Sequence, residues 1–237
     1  MLLRRFLNAA FRLLATEGWD GAAVAHLGRL LTKAGGPLCA NDVKVPDSLT
    51  YHMTDIYLEE MEKALVWAET EEDVEDWRSG GDKALMGLLQ PMLDTAATCH
   101  SKTVFEKVIE NVVQPLVDDC LAKANAEQNR LAKPAAKKRR KTRRGGKFQA
   151  SESEDEDDDE DEDEEVSNYP HILALSSVSP LALRKRIYQR IFKAASKEEA
   201  NPARRRRLYQ MFQEEKQRRE EMDEESDDDD DEDDDDE

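Results

Sequence analysis

The chain has 237 residues, 54 of them acidic and 35 basic, for a formal charge of −19. Two acidic tracts, Glu152 to Glu165 and Glu220 to Glu237, carry that excess and leave the remainder with a basic surplus. Such blocks cannot bury enough apolar surface to fold. A chain with both signs meets basic and nucleic-acid partners in turn, or shields one block with the other.

Other classes fall away on residue types. Cys39, Cys99 and Cys120 are an odd set without a close pair, which argues against a disulfide framework and fits a reducing compartment. The apolar start is broken by Arg4 and Arg5 and lacks a small-residue cleavage site, so it reads as a helix and not a signal peptide. No window approaches the ~20 apolar residues of a membrane span, and the expectation is a soluble intracellular protein.

Leu3, Phe6, Leu7, Ala10, Phe11 and Leu14 predict a first helix over Leu2 to Leu14, with no visible N-cap. Asp20 caps a second, striped by Val24, Leu27, Leu30 and Leu31 and stopped by Gly35-Gly36-Pro37. The longest periodic stretch is Val45 to Trp67. Pro46 suits its first turn, Asp47 and Ser48 can accept from the free amides there, and Leu49, Met53, Ile56, Tyr57, Met61, Ala64 and Leu65 form one face. Off that face, Glu59 and Lys63 have the favourable i, i+4 spacing. An acidic turn from Glu69 to Asp76 then ends in Trp77 as an aromatic anchor.

After Ser79-Gly80-Gly81-Asp82, the residues Leu85, Leu89, Met92, Leu93 and Ala96 predict a helix that Pro91 kinks or whose start it shifts. Ser101 caps the next, where Phe105, Val108, Ile109, Val112, Leu116 and Cys120 hold the period and Pro115 introduces a bend. Without strand alternation or hairpin turns, residues 1–132 are expected to form an all-α domain.

From Leu131 the pattern stops, and residues 133–168 are read as a disordered linker, basic and then acidic. Lys137, Lys138, Arg139, Arg140 and Lys141 form a run of the kind a nuclear import receptor reads. With Arg143, Arg144 and Lys147 they can also bind RNA phosphates by counterion release. Only Phe148 lies near as a stacking aromatic, which argues against base-specific readout from this block. Ser151, Ser153 and Ser226 border acidic runs and are candidate phosphorylation sites.

Residues 169–219 are expected to return as basic amphipathic helices docked on the first domain, with Tyr169 to Leu175 as an apolar strap and 220–237 as a disordered acidic tail. Ser179-Pro180 opens a helix whose Leu183, Ile187, Tyr188, Ile191, Phe192 and Ala195 share one side. Arg186, Arg190, Lys193 and Lys197 stripe the other side. Asn201-Pro202 opens a second such helix, which carries Arg204, Arg205, Arg206 and Arg207. Both basic stripes are candidates for RNA phosphate contact.

Catalytic patterns are weak. His52 and Asp55 lie a helical turn apart, but no nucleophile elbow accompanies them. Cys99 beside His100 lacks the other ligands that structural zinc wants, and there is no phosphate-cradling Gly loop, GxGxxG or HExxH. No enzyme activity, cofactor, metal, membrane or small-molecule substrate is expected.

The run VPDSLTYHMTDIYLEEMEKAL, preceded by RRFLNAAFRLLATEGWD and followed by LLQPMLDTAATCHSKTVFEKVIENVVQPLVDDCL, resembles the conserved domain of the eukaryotic ribosomal RNA processing protein 1 family. The similarity covers Leu2 to about Leu121, and more weakly RKRIYQRIF and ANPARRRRLYQMF. It implies stacked antiparallel helices in the manner of armadillo or HEAT arrays, although no repeat consensus is visible. It also implies a nucleolar, non-enzymatic assembly factor in ribosomal RNA processing, whose partners are pre-ribosomal proteins and ribosomal RNA precursor. That family domain normally begins with further helices, so the front part is expected to be missing, and a product that does not fold stably is one consequence to consider. An acidic-tailed nuclear chaperone for basic proteins such as histones is the rival reading from composition.

Overall fold

A computed structural model of the chain describes residues 2–39, 41–71, 77–142 and 167–228, with 131–142 and 223–228 described at the backbone alone. The helices are α1 (Leu2–Thr16), α2 (Gly21–Thr32), α3 (Asp47–Thr70), α4 (Gly81–Thr98) and α5 (Lys102–Val108), then a π-helical turn (Ile109–Val113). They continue with α6 (Gln114–Thr142), α7 (Pro170–Ala174), α8 (Pro180–Ala195) and α9 (Pro202–Asp228). The protein is all-α, with no strand among the described residues.

The helices stack alternately. α1 lies on α3 and α2 on α4, while α5 touches both α3 and α4. α8 then packs against α4, α6 and α9. One apolar core runs from Leu7 and Phe11 through Met53, Tyr57 and Met92 to Ile191 and Leu208. Tyr57 is central to it: its ring meets Phe11 edge-on at 5.4 Å, and its buried hydroxyl donates to the Leu88 carbonyl at 2.7 Å. The anchor expected at Trp77 is there, since Trp77 is buried and its carbonyl accepts from Trp19 Nε1 at 2.7 Å.

Local expectations fare unevenly. Asp20 caps α2 by accepting from the Ala23 amide at 2.9 Å, and Ser101 and Ser179 cap α5 and α8 in the same way. At α3 the expected side-chain caps are not made. Pro46 occupies the N-cap position, Asp47 opens the helix, and its carboxylate instead accepts from the Tyr51 hydroxyl at 3.3 Å. Pro91 neither divides nor shortens α4. Its ring packs into the α2 crossing, where a Cβ on Gly28 would stand 3.2 Å from Pro91 Cγ, so tertiary packing offsets the lost backbone bond. Pro115 acts through the turn before it. The Gln114 amide reaches back five residues to the Ile109 carbonyl, and the widened turn absorbs the donor that proline lacks.

The backbone of α6 is described as far as Thr142, into the stretch read as the start of the linker.

Three carboxylates fasten the returning segment. Asp119 on α6 accepts from Ser167 Oγ at 2.9 Å and the Tyr169 amide at 2.7 Å. Glu62 on α3 accepts from the amides of His171 and Ile172, each at 3.0 Å, and so satisfies the first donors of α7. Asp82 on α4 accepts from Ser176 Oγ at 2.5 Å and Ser177 Oγ at 2.6 Å, and these two hydroxyls hold its carboxyl below the usual range.

His171 Nδ1 lies 2.6 Å from Glu62 and Nε2 lies 2.9 Å from Glu69. Desolvation pulls this imidazole down, but the two carboxylates outweigh it and raise it above the ordinary 6.5. Protonation therefore tightens the strap. The stabilisation is complete below the unfolded value and is lost as pH rises through the raised one. Amide exchange over residues 171–174, corrected for intrinsic rates, should quicken as pH rises above the ordinary 6.5 and through the raised value, and His171→Gln should flatten that dependence. Identical profiles in the two proteins would contradict this role.

Candidate nucleic-acid interface

The cations expected to face RNA are sorted by the fold into committed and free groups. On α8, Arg186 approaches Asp82 at 3.7 Å, Arg190 donates to Gln90 Oε1 at 3.2 Å, and Lys197 meets Asp94 at 2.6 Å. Most of that stripe therefore runs along α4 as a docking seam. Lys193, exposed, makes no ion pair among the described residues.

On α9 the four arginines divide. Arg204 donates to the His100 carbonyl at 2.9 Å and lies over the Phe105 ring, and Arg205 donates to the carbonyls of Ala195 and Lys197 at 3.0 and 2.7 Å. These two do not face outward as the stripe suggested. They satisfy helix-end carbonyls and hold α9 in place. Arg206 is exposed without an ion pair among the described residues, and Arg207 is exposed with one loose partner, Glu214, at 3.9 Å.

Next to Lys193 the sequence reading missed an aromatic patch. Phe192 was placed on the core side of α8 but is 41 % exposed, with its ring 5.2 Å from Tyr209 and 4.8 Å from Phe212. Its apolar spacing gave no hint of this, because the facing rings come from α9 and the cluster closes at the rim of the core. Arg184 is the reverse case: it sits on the basic helix yet is buried against Glu215.

The remaining expected sites lie elsewhere. Lys137, Lys138, Arg139, Arg140 and Lys141 fall on the backbone of α6, and Ser226 on that of α9. Arg143, Arg144, Lys147, Phe148, Ser151 and Ser153 are outside the described residues.

The weak catalytic patterns do not assemble. Asp55 accepts from Asn111 Nδ2 at 2.7 Å, and His100 Nδ1 lies 2.7 Å from Asn41 Oδ1. No group of His, Cys, Asp and Glu that could hold a metal occurs among the described residues. Burial pushes the Cys99 thiol up to about 11 and the Cys120 thiol up to about 12, which removes the reactive thiolate. Native protein treated with iodoacetamide should therefore be labelled at half-buried Cys39, with Cys99 and Cys120 modified only after unfolding. Prompt labelling of Cys99 would contradict its placement.

A family model described as nucleolar protein, Nop52, matches residues 1–174. The chain belongs to the Nop52 family. A comparison with curated proteins finds no match. The Nop52 family is the nucleolar, ribosomal RNA processing family that the sequence resembles, and its members act in ribosome biogenesis. The protein is accordingly nucleolar. The Nop52 match extends past α6 to Ala174, so the α7 strap falls within it, and the aromatic and basic patch of α8 and α9 lies beyond.

Proposed function

We propose that this Nop52 protein is a non-enzymatic scaffold of pre-ribosomal particles. In this reading its helical array holds neighbouring proteins, and the outer side of α8 and α9 touches ribosomal RNA precursor. The observation that carries it is the exposed Phe192 ring beside the unpaired Lys193. An apolar aromatic face next to a free cation suits a base stacked over a neutralised phosphate. Arg206 and Arg207 supply further free charge on α9, and Arg186, only loosely paired, a weaker contribution. The run Lys137 to Lys141 is assigned to a nuclear import receptor, and Arg143, Arg144 and Lys147 to sequence-independent phosphate contact. Ser151, Ser153 and Ser226 remain assigned as acceptors for an acid-directed kinase.

Crosslinking of RNA to protein in cells, with the modified peptides mapped, tests this. Crosslinks are expected at Phe192 and on the peptides carrying Lys193 and Arg206. The combined change K193E/R206E/R207E should cut RNA binding and lower the salt slope by about 1 per lost phosphate contact. RNA crosslinks confined to other helices would overturn this face as the contact, and the absence of any RNA crosslink would make the protein an adaptor between proteins alone.

A further inference from the structure

On another side of the array, a groove of about 440 Å³ runs between α2 and α4 and is bordered by Arg190 of α8. Its floor is Val24, Ala25, Gly28, Ala84, Gly87 and Pro91. The two glycines set its shape: a Cβ on Gly87 would come within 2.8 Å of Val24 Cγ1, and one on Gly28 within 3.2 Å of Pro91. With only hydrogen at these positions the helices approach closely, and little side chain rises from the floor.

The rim is positively charged. Arg29 and Lys83 also line the groove, are exposed, and make no ion pair among the described residues. Arg190 reaches only the neutral Gln90. The acid in the lining, Asp94, is already held by Lys197 at 2.6 Å. Three cations on three different helices thus surround an apolar trough without a counter-charge of their own. Such a trough fits a ligand that is apolar on one face and acidic at its edges.

We propose that this groove receives an acidic amphipathic helix from a partner protein in the particle, with its apolar side chains on the floor and its carboxylates on Arg29, Lys83 and Arg190. RNA suits it poorly. The bordering Trp19 is buried at 3 % exposure, with its Nε1 bonded to the Trp77 carbonyl, so no ring is presented for a base to stack on. The chain's own acidic tracts suit it poorly too, because Glu152 to Glu165 and Asp223 to Glu237 contain only Asp, Glu and Ser. They could satisfy the rim but leave the floor wet. This assignment rests on the scaffold reading above and takes Arg190 away from the RNA face.

A small diazirine side chain placed at Ala25 of the full chain, in cells, tests the proposal. The expected crosslink is to a protein segment in which large apolar residues recur at helical spacing among carboxylates. A synthetic peptide of that segment should bind the purified chain. Binding should weaken at least tenfold in R29E/K83E and be blocked in Ala25→Trp, with thermal unfolding unchanged in both. Crosslinks to RNA, to the chain's own acidic tracts, or to nothing would overturn the proposal. Sedimentation separates the two levels: a chain that still travels with pre-ribosomal particles but shows no such crosslink sinks this inference alone, and a chain that never enters them sinks the scaffold reading as well.

Discussion

Replacing Glu215 with alanine is expected to destabilise the protein by about 3–5 kcal/mol, the loss typical when one member of a buried ion pair is removed. Arg184 would stay charged with its side chain only 7 % exposed. Its Nε and Nη2 now donate to the two Glu215 oxygens at 3.0 and 2.8 Å, and Nη1 donates to the Val117 carbonyl on α6. Arg218 adds contacts at 3.1 Å to the same carboxylate. One charged cluster thereby ties α9 to α8 and α8 to α6.

Burial alone would raise the Glu215 carboxyl, but the two guanidinium groups outweigh it and lower its pKa. Its contribution is therefore present above the ordinary carboxylate range and is lost as pH falls through the lowered value. The pair Arg184→Met with Glu215→Leu should recover most of the loss, since apolar residues of similar volume often replace a buried ion pair without penalty. Urea unfolding of the three variants measures this. A loss below about 1 kcal/mol for Glu215→Ala would mean that α9 does not pack where described.

Gly81→Ala should undock the returning segment while leaving the front helices in place. A Cβ at this position would stand 2.2 Å from the Leu175 carbonyl oxygen and 2.6 Å from the Leu175 Cδ1. The oxygen belongs to the backbone, so it cannot move aside without lifting the strap from Asp82 and Glu62. Overpacking of this kind costs about 1–3 kcal/mol, which corresponds to roughly 5- to 150-fold faster amide exchange through local opening at Ile172 to Leu175. Exchange in α1 and α3 should be unchanged. Uniform acceleration across the chain, or none, would contradict a strap that docks as a separate unit.

The helices were legible because their evidence is local. The three- and four-residue recurrence of Leu7, Phe11, Met53, Tyr57 and Ile187 marks faces that are in fact buried, and Asp20, Ser101 and Ser179 mark real starts. What the letters concealed depends on distant partners. Glu62, Asp82 and Asp119 look like ordinary surface acids, and nothing within several residues of them shows that they receive donors from 48 to 110 positions away. The same holds for charge on α8. Arg184 and Arg186 stand two apart in one basic run, yet one is buried on Glu215 and the other exposed beside Asp82, and only the angle at which α8 crosses α4 and α6 decides which. Arg29 and Lys83 gave no signal at all. Each is a lone charge on its own helix until the stacking of α2 on α4 sets them around one groove. Phe192 was misplaced because helical spacing defines a face but not where the covering neighbour ends.

The rival reading, a chaperone that captures basic proteins with its acidic tail, differs from a scaffold in which part of the molecule makes the attachment. Sedimentation of cell extract containing the chain truncated after Met222 separates them. If the folded helices hold the protein in its particle, the truncated chain should travel with pre-ribosomes as the full chain does. If it instead remains at the top of the gradient while keeping its cooperative helical melt, the tail makes the attachment and the array of α1 to α9 is not the binding element.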